Sequence, residues 1–552
     1  MSAQKPRRQS HLKAAVSDVT SEEQPTLPSH SPVSVSVITC KSPIDGSTLG
    51  TVAVDDPNAV RRAIARAREA QIGWARTDFG TRRAVLRRIQ DHLLANIDTV
   101  VEAVVRDAGK TRENALIGEI WTVLEKLRWT TRSGEKYLQP ETVSSGLLMH
   151  KRARLEYHPL GVMGAILPWN YPLQNIMNPI IPALMAGNAI VVKPSEWVAW
   201  SAPGFVDIVK KALAAEGQSP ELVQLVQGDA ETGKALITGG IDGLVFIGSV
   251  PNGRRILATA AEALVPVVLE LGGKDPFIVC DDADLEQAAH AAMVGCFVNA
   301  GQNCVASERL LVMDGVYDQF AAKMQLMTDG LRQGDPLAQG GHVDVGAMVT
   351  PIQLELVESL VASAVAEGAR ILSGGKAIRT ASGGTYYAPT VLADVRPDMT
   401  IMNEEVFGPV MLLCRVRDEH EAIAIANGVP FGLSSSVFSR DHARARRIMD
   451  RLHAGMSAMN EFGGATYMAQ DLTFGGVKHS GFGRMNGRDG LRACCNVKAT
   501  LEDRFPIHFP NKVYPVGAGD YGQMSDVLKL LYGRGVVGRM DALKALATRL
   551  FK

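Results

Sequence analysis

The segment "GLVFIGSVPNGRR", residues 243–255, has the pattern of a buried strand that runs through a glycine-containing loop into a helix. An apolar run ends at Gly248 and Ser249, and the loop closes at Gly253 before two arginines. Such a turn predicts a phosphate site, because glycines let the backbone approach a ligand and a helix N-terminus favours anions. The full G-x-G-x-x-G pattern is missing, so a plain strand-to-helix turn is the alternative.

Five similar apolar runs flank this segment, and each is bounded by Gly, Pro, Asn or Asp. They are "GVMGAIL" (161–167), "NAIVVKP" (188–194), "LVQLVQG" (222–228), "VPVVLELGG" (265–273) and "PFIVCDD" (276–282). Helical stretches such as 202–216 and 254–263 separate several of them. Buried parallel strands with crossover helices produce this alternation, so we predict an α/β fold. A second α/β region is expected over about residues 285–482.

Composition limits the classes of partner. With 552 residues, of which 46% are hydrophobic, the chain should form two or three packed domains. Its 58 basic and 58 acidic residues balance, which gives no drive toward nucleic acid and favours small molecules and further copies of the chain as partners. Seven cysteines without paired spacing suggest neither disulfides nor a metal site, and they favour a reducing, cytoplasmic location.

Two carboxylates follow predicted strands. Glu196, with Lys193 in "VVKPSEW", could accept ribose hydroxyls and repel a 2′-phosphate, although a solvated charged loop is the better explanation of this motif on its own. Glu270 continues the apolar run "VPVVLE", where desolvation would raise its pKa toward that of a general base. A structural ion pair is the alternative for Glu270.

An amide and a cysteine are the other candidates for chemistry. Asn170 lies between two prolines in "LPWNYPLQN" (167–175), where a rigid amide could stabilise an oxyanion or simply form a turn. Cys304 lies among small and amide residues in "FVNAGQNCVASERL" (297–310). A free cysteine is more often a buried hydrophobe, so Cys304 alone does not establish a nucleophile.

Together, the motifs "PWN", "KPSE", "FIGSVPNG", "ELGGK", "AGQNC", "EEVFGPV" and "FGGVKHSGFGR", in this order, resemble the NAD(P)-dependent aldehyde dehydrogenase superfamily over about residues 40–502. The C-terminal part looks most like plant family-22 aldehyde dehydrogenases and their fungal relatives. The resemblance implies a Rossmann-type cofactor domain, an α/β catalytic domain and a small β oligomerisation element. The expected divisions are a disordered tail (1–40), the cofactor domain (41–142 and 160–284), oligomerisation strands (143–159 and 488–504), the catalytic domain (285–487) and a C-terminal helical extension (505–552).

The resemblance also implies roles for individual residues. Cys304 matches the nucleophile, Glu270 the general base and Asn170 the oxyanion-hole amide. The implied cofactor-binding residues are Trp169, Lys193, Ser195, Glu196, Gly248, Ser249, Gly253, Gly272, Glu405 and Phe407, with no metal. Glu196 favours NAD, with NADP as an alternative.

The implied reaction is oxidation of an aldehyde to a carboxylic acid through a thiohemiacetal and a thioester on Cys304. Glu270 favours release by water, because relatives that transfer the acyl group to CoA generally lack this glutamate. CoA-dependent or reductive acyl transfer is one alternative, and a non-catalytic scaffold bound to membranes or partners is another. The identity of the aldehyde is not indicated.

The remaining segments bear on assembly and substrate entry. The resemblance implies a homodimer or homotetramer, and it implies that residues 460–474 line the substrate entrance. The C-terminal stretch is amphipathic, with Met540, Leu543, Leu546 and Leu550 opposite Arg539, Lys544, Arg549 and Lys552. Packing on a neighbouring domain or subunit is favoured over contact with a membrane surface, because interfacial aromatic residues are sparse. Nowhere does an apolar run reach the roughly 20 residues of a membrane-spanning helix.

Overall fold

The computed structural model describes residues 36–338, 342–506 and 513–550, without the side chains of 549 and 550. The strands are β1 (Val37–Lys41), β2 (Thr48–Ala53), β3 (Glu141–Val143), β4 (Lys151–Pro159), β5 (Val162–Leu167), β6 (Ala189–Pro194), β7 (Val223–Leu225), β8 (Gly243–Ile247), β9 (Val267–Glu270), β10 (Pro276–Val279), β11 (Arg309–Met313), β12 (Arg370–Ser373), β13 (Ala377–Arg379), β14 (Thr385–Tyr387), β15 (Thr390–Ala393), β16 (Val410–Val416), β17 (Ser436–Phe438), β18 (Ala458–Met459), β19 (Gly481–Phe482) and β20 (Cys495–Asp503).

The helices are α1 (Pro57–Trp74), α2 (Phe79–Ala95), α3 (Ile97–Ala108), α4 (Arg112–Ala115), α5 (Thr122–Leu138), α6 (Pro172–Ala186), α7 (Ala202–Ala215), α8 (Ala230–Thr238), α9 (Val250–Ala263), α10 (Leu285–Phe297), α11 (Asp314–Asp329), α12 (Pro351–Ala366), α13 (Thr400–Asn403), α14 (Glu419–Asn427), α15 (His442–Met449), α16 (Gly487–Arg492), α17 (Asp520–Tyr532) and α18 (Val536–Leu550). A π-helical segment, Leu116–Trp121, joins α4 to α5.

The first sheet has the strand order β19-β9-β8-β5-β6-β7, and β5 to β9 run parallel. Counted along the chain from β5, this is the 3-2-1-4-5 order of the Rossmann fold, with its switch point between β5 and β8. The parallel strands are almost wholly buried, which explains their unbroken apolar runs. Ligands bind beyond the carboxyl ends of strands in such a sheet, so the topology already locates a site.

The second sheet has the order β12-β15-β16-β11-β10-β17-β18, parallel except at β12. Strand β10 belongs to this sheet, although its sequence "PFIVCDD" was expected in the cofactor domain that ends at residue 284. Its apolar run resembles those of the first sheet, and only its pairing with β11 and β17 distinguishes it. Conversely, β19 belongs to the segment predicted for the catalytic domain but pairs with β9 of the first sheet, with Gly481 opposite Glu270.

The third sheet has the order β20-β4-β3, and β4 and β20 lie in the two segments expected to link subunits. Strand β3 begins at Glu141, two residues before the first of those segments. Cys495–Asp503 pairs antiparallel with Lys151–Pro159 along its full length. The predicted boundary at residue 488 falls within α16 rather than at the start of the strand. Their role in oligomerisation stays a prediction.

The N-terminal strand begins earlier than expected. Strand β1 starts at Val37 and pairs with β2, so residues 37–40 belong to a hairpin rather than to the predicted tail. Residues 1–35 of that tail lie outside the described part of the chain. One contiguous hydrophobic core contains residues of both large sheets, so the two sheets pack together.

The C-terminal extension is a helical hairpin formed by α17 and α18. Among residues 513–548, only Asp526 and Ala542 are buried. Large apolar side chains such as Tyr521 and Val536 are about four-fifths exposed (87% and 78%). Leu550 and the basic residues 549 and 552 of the predicted amphipathic face lie outside the described side chains. Within the described residues, every helix is too short or too polar to cross a membrane.

Candidate active site

A cavity of about 940 Å³ opens where the parallel strands of the first sheet end. Its lining includes Asn170 after β5, Lys193 at the end of β6, Ser249 after β8, Glu270 at the end of β9 and Cys304 from the second α/β region. The switch point of the sheet thus brings together most of the residues singled out in the sequence.

A tightly held loop carries Cys304. The loop follows a short 3₁₀ turn, Val298–Gly301, in which Asn299 has a left-handed backbone with φ 55°. The Gln302 side chain fixes the loop, because its amide donates to the Asn299 and Ala347 carbonyls at 3.0 and 3.2 Å and its oxygen accepts from the Val349 N–H at 2.9 Å. These bonds explain the amide-rich sequence before the cysteine.

The Cys304 thiol lies beside the Glu270 carboxyl. Burial raises the Glu270 pKa to about 7, while hydrogen bonds from the Gly272 N–H at 3.1 Å and from the thiol lower it. Burial and then the negative charge of Glu270 raise the pKa of the thiol well above its usual value. The sulfur also lies 3.9 Å from the Asn303 side-chain oxygen. Burial and the Glu270 charge both favour the protonated thiol over the thiolate.

The Asn170 amide points toward the same loop. Its Nδ2 donates to the Gln302 carbonyl at 3.1 Å, and its Oδ1 accepts from Asn175 at 3.2 Å. This pairing fixes which face of the amide carries the N–H groups. Among the described residues, none accepts a hydrogen bond from the Cys304 backbone N–H. The Asn170 Nδ2 group also has a second N–H besides the one that it donates to Gln302.

The ends of β6 and β8 form the second half of the cavity. Lys193 is buried with its Nζ 4.0 Å from the Glu196 carboxylate, which is half exposed, and burial lowers the lysine pKa. Ser195 caps the short 3₁₀ turn that begins at Glu196. These side chains place a cation and a carboxylate at one edge of the cavity.

The start of α9 faces the cavity next to them. Gly248 and Ser249 line the wall, and the Ser249 side chain makes no capping bond to the helix. Its hydroxyl and the first amides of α9 are therefore available to an anion. At Gly253, a Cβ would lie 2.4 Å from the Leu271 side chain, so the close packing of α9 requires a glycine there. Its predicted contact with the cofactor stays a prediction.

Four more predicted residues lie between the two halves. The Trp169 and Phe407 rings meet edge to face, with centroids 5.4 Å apart. Glu405 is half-buried, accepts from the Gly273 N–H at 3.2 Å and has a raised pKa, chiefly from desolvation. Gly272 has φ 76°, and a Cβ there would lie 2.3 Å from Glu405 Oε1.

The cavity fits a dinucleotide. Its Lys193–Glu196 edge suits a ribose and the uncapped α9 terminus suits a pyrophosphate, while Gly272 makes room for the Glu405 carboxylate. With Cys304 at the other end of the same cavity, there is space for a reacting carbonyl next to the cofactor.

Several residues of the site were not predicted from the sequence. Glu308 accepts from Lys274 at 2.6 Å and from the backbone N–H groups of Val406 and Phe407 at 2.8 and 2.9 Å. Arg309, also buried, donates to the Lys274 carbonyl. Lys274 lies in the "ELGGK" motif, which was the only sequence feature that pointed to this cluster. The residues next to Glu308 in the sequence do not indicate that it contacts Lys274, Val406 and Phe407.

The segment 460–474 lines the cavity as expected. Phe462, Gly464, Tyr467 and Phe474 contribute to its wall. The Tyr467 hydroxyl accepts from Gln174 at 2.5 Å and donates to Asn178 at 3.1 Å. These residues form the end of the cavity beyond Cys304.

Comparison with known proteins agrees with this geometry. Residues 31–500 match the aldehyde dehydrogenase family. An aldehyde dehydrogenase-like protein of Schizosaccharomyces pombe is 42% identical over 489 residues, which cover 87% of this chain and 93% of that protein. A 4,4′-diapolycopene aldehyde oxidase of Methylomonas is 35% identical over 502 residues, covering 90% and 92%.

Solved structures give the same result. Betaine aldehyde dehydrogenase from Staphylococcus aureus in complex with NAD⁺ superposes with a TM-score of 0.79 at 29% identity, over 86% of this chain and 93% of that one. The fold expected from the motifs is confirmed. The chain belongs to the aldehyde dehydrogenase family and is an NAD(P)-dependent aldehyde dehydrogenase.

Proposed function

We propose that Cys304 attacks the aldehyde carbonyl and carries the acyl group through the reaction. The Glu270 carboxylate takes the thiol proton, and the resulting thiolate forms a carbon–sulfur bond to give a thiohemiacetal. The raised thiol pKa makes this proton transfer necessary, and the Glu270 pKa of about 7 leaves a useful fraction of the base ionised at neutral pH.

The Asn170 amide and the Cys304 backbone N–H stabilise the oxyanion. The Asn170 side chain is held from both ends by Gln302 and Asn175, so its N–H groups are oriented before the substrate arrives. Removing one such donor typically costs about 10²–10³ in rate. The NAD(P)⁺ cofactor, when bound, accepts the hydride that leaves the thiohemiacetal carbon.

Glu270 then supports release of the product. Once its proton has passed to solvent, the carboxylate removes a proton from a water molecule that attacks the thioester carbonyl. The carbon–sulfur bond breaks, the acid leaves and the thiolate is regenerated. This assigns the hydrolytic route rather than transfer to CoA or a reductive reaction.

Lys193 and Glu196 would hold the adenosine ribose, with Ser195 shaping their turn. Gly248 and Ser249 would approach the pyrophosphate, and Glu405 and Phe407 would hold the nicotinamide ribose and ring. The half-exposed Glu196 carboxylate would repel a 2′-phosphate, which favours NAD over NADP.

The substrate is proposed to be an aliphatic or aromatic aldehyde that carries no negative charge. Among the described residues that line the cavity beyond Cys304, such as Tyr171, Val305, Phe462 and Tyr467, there is no Lys, Arg or His. A carboxylate on the substrate would lose its hydration there without gaining a counter-ion. Lys193, Lys234 and Arg255 line the cofactor half instead.

One observation carries this proposal: a thiol, a buried carboxyl and an oriented amide meet at one end of a cavity whose other end suits a dinucleotide. Hexanal or benzaldehyde with NAD⁺ and no CoA should give NADH and the acid in equal amounts, measured by absorbance and mass spectrometry. Succinate semialdehyde should react more slowly. A strict requirement for CoA, with an acyl-CoA product, would overturn the hydrolytic assignment.

The assembly is part of the same proposal. Strands β4 and β20 would contribute to a homodimer or homotetramer, and the exposed α17–α18 hairpin would pack on a neighbouring subunit. About ten large apolar side chains on the hairpin are exposed in the single chain, which is unfavourable without such a partner.

Deletion of residues 513–552 should therefore lower the oligomer mass or the midpoint of thermal unfolding, with the catalytic site intact. Size-exclusion chromatography with light scattering measures the mass, and Leu528→Glu serves as a point variant in the hairpin. Flotation of the full chain, but not of the truncated chain, with lipid vesicles would support membrane contact instead.

A further inference from the structure

A fully buried ion pair lies beneath the segment that presents Asn170. Lys110 Nζ and Glu119 Oε1 are 2.6 Å apart, and neither side chain is exposed. Lys110 follows the glycine that ends α3, and Glu119 belongs to the π-helical segment Leu116–Trp121. Charges without solvent are costly to bury, so a pair in this position calls for an explanation beyond stability.

Lys110 binds the backbone of the predicted oxyanion donor itself. Its Nζ donates to the Asn170 carbonyl at 2.7 Å and lies 3.9 Å from the centre of the Tyr171 ring. The Asn299 side chain donates to the same carbonyl at 2.9 Å and to the Gln302 carbonyl at 3.0 Å. The Asn170 backbone is thereby joined to the loop that carries Cys304.

Glu119 holds the other side of the same segment. Its second oxygen accepts from the Gln174 N–H at 2.8 Å, at the start of α6. Next to it in the π-helix, Gly118 lies so close to Tyr171 that a Cβ would be 2.5 Å from the ring. The π-helical turn brings both residues against residues 170–174, and such turns are often found at functional sites.

We propose that Lys110 and Glu119 are positioning residues, which set the Asn170 amide at the distance from Cys304 that stabilises the oxyanion. The inference rests on the proposed role of Asn170. A buried, preformed support matters here because small displacements of a catalytic donor cost far more rate than stability.

The experiment replaces both charged side chains of the ion pair with uncharged ones and compares the result with Asn170→Ala. Lys110→Met alone leaves Glu119 as an unpaired buried charge and could prevent folding. The double variant Lys110→Met/Glu119→Gln keeps the volume of both side chains, and the new amide oxygen still accepts from Gln174. It should unfold near the wild-type temperature, since replacing a buried pair is often neutral. The rate of NADH formation in the first turnover should fall roughly ten- to a hundredfold, with little change in the Kd for NAD⁺.

The same double substitution is then made in an Asn170→Ala background. If the pair acts through Asn170, the two losses are not additive, and the double substitution should lower the first-turnover rate by less than about twofold there. A wild-type first-turnover rate in Lys110→Met/Glu119→Gln would overturn the inference. So would a loss of rate from these two substitutions that is as large in the Asn170→Ala background as in the wild type. A wild-type rate in Asn170→Ala alone would instead overturn the proposed function of Asn170, so the two failures are distinct.

Discussion

Replacing Cys304 with alanine should abolish NADH formation with every aldehyde, a loss of at least about 10³-fold in kcat. Without the sulfur, no thiohemiacetal forms and no hydride becomes available for transfer. The measurement is absorbance at the NADH maximum with hexanal and NAD⁺. NAD⁺ affinity, followed by quenching of protein fluorescence, should persist because Lys193 and Ser249 are untouched.

A buried cysteine that does not face the cavity is the matched control. Cys296 is buried, and its sulfur donates to the Ser307 carbonyl at 3.1 Å, eleven residues away in sequence. Cys296→Ala should keep most of the activity, with at most the stability loss of a small core truncation. Full turnover in Cys304→Ala would contradict the assignment of the nucleophile.

Replacing Glu270 with glutamine should remove steady-state turnover by about 10²–10⁴-fold. The amide keeps the shape and its oxygen can still accept from the Gly272 N–H, but it cannot take a proton from thiol or water. If deacylation depends on this group more strongly than thiol deprotonation does, a first-turnover burst of NADH, no larger than the enzyme concentration, should precede the stall. Stopped-flow absorbance at raised pH, where the thiol ionises without help, should show the burst most clearly.

The dependence of the rate on pH distinguishes a general-base role of Glu270 from a purely structural role. With a Glu270 pKa of about 7, the wild-type rate should rise with pH through neutrality as the base ionises. The variant should lose this rise and respond to pH only where the thiol itself ionises. Unchanged steady-state turnover in Glu270→Gln would refute the base.

Much of the site could be predicted because its residues lie at the ends of recognisable strands. Lys193, Ser249 and Glu270 each follow an apolar run, and the parallel topology brings such ends to one edge. The strand order could not be predicted from the runs themselves. Strand β10 has the same composition as its neighbours and yet pairs in the second sheet, since pairing depends on the whole path of the chain.

Residues that act across long sequence separations escaped prediction for the same reason. No motif in the sequence singles out Glu119 or Lys110, and both contact residues 170–174 in the fold, where they are buried. Gly253 has a packing role that the sequence does not reveal. In the sequence it resembles a phosphate-loop glycine, whereas in the fold it makes room for Leu271.

The most direct test of the central claim is the mass of the trapped intermediate. Glu270→Gln is mixed with hexanal and NAD⁺ at raised pH, where the thiol ionises without the carboxylate, and the reaction is quenched in acid within seconds. The protein is then digested, and the peptide containing Cys304 is analysed by mass spectrometry. The proposed mechanism predicts one hexanoyl group on Cys304, in an amount equal to the NADH burst. NADH formed without acyl label on Cys304, or with label on another cysteine, would contradict it.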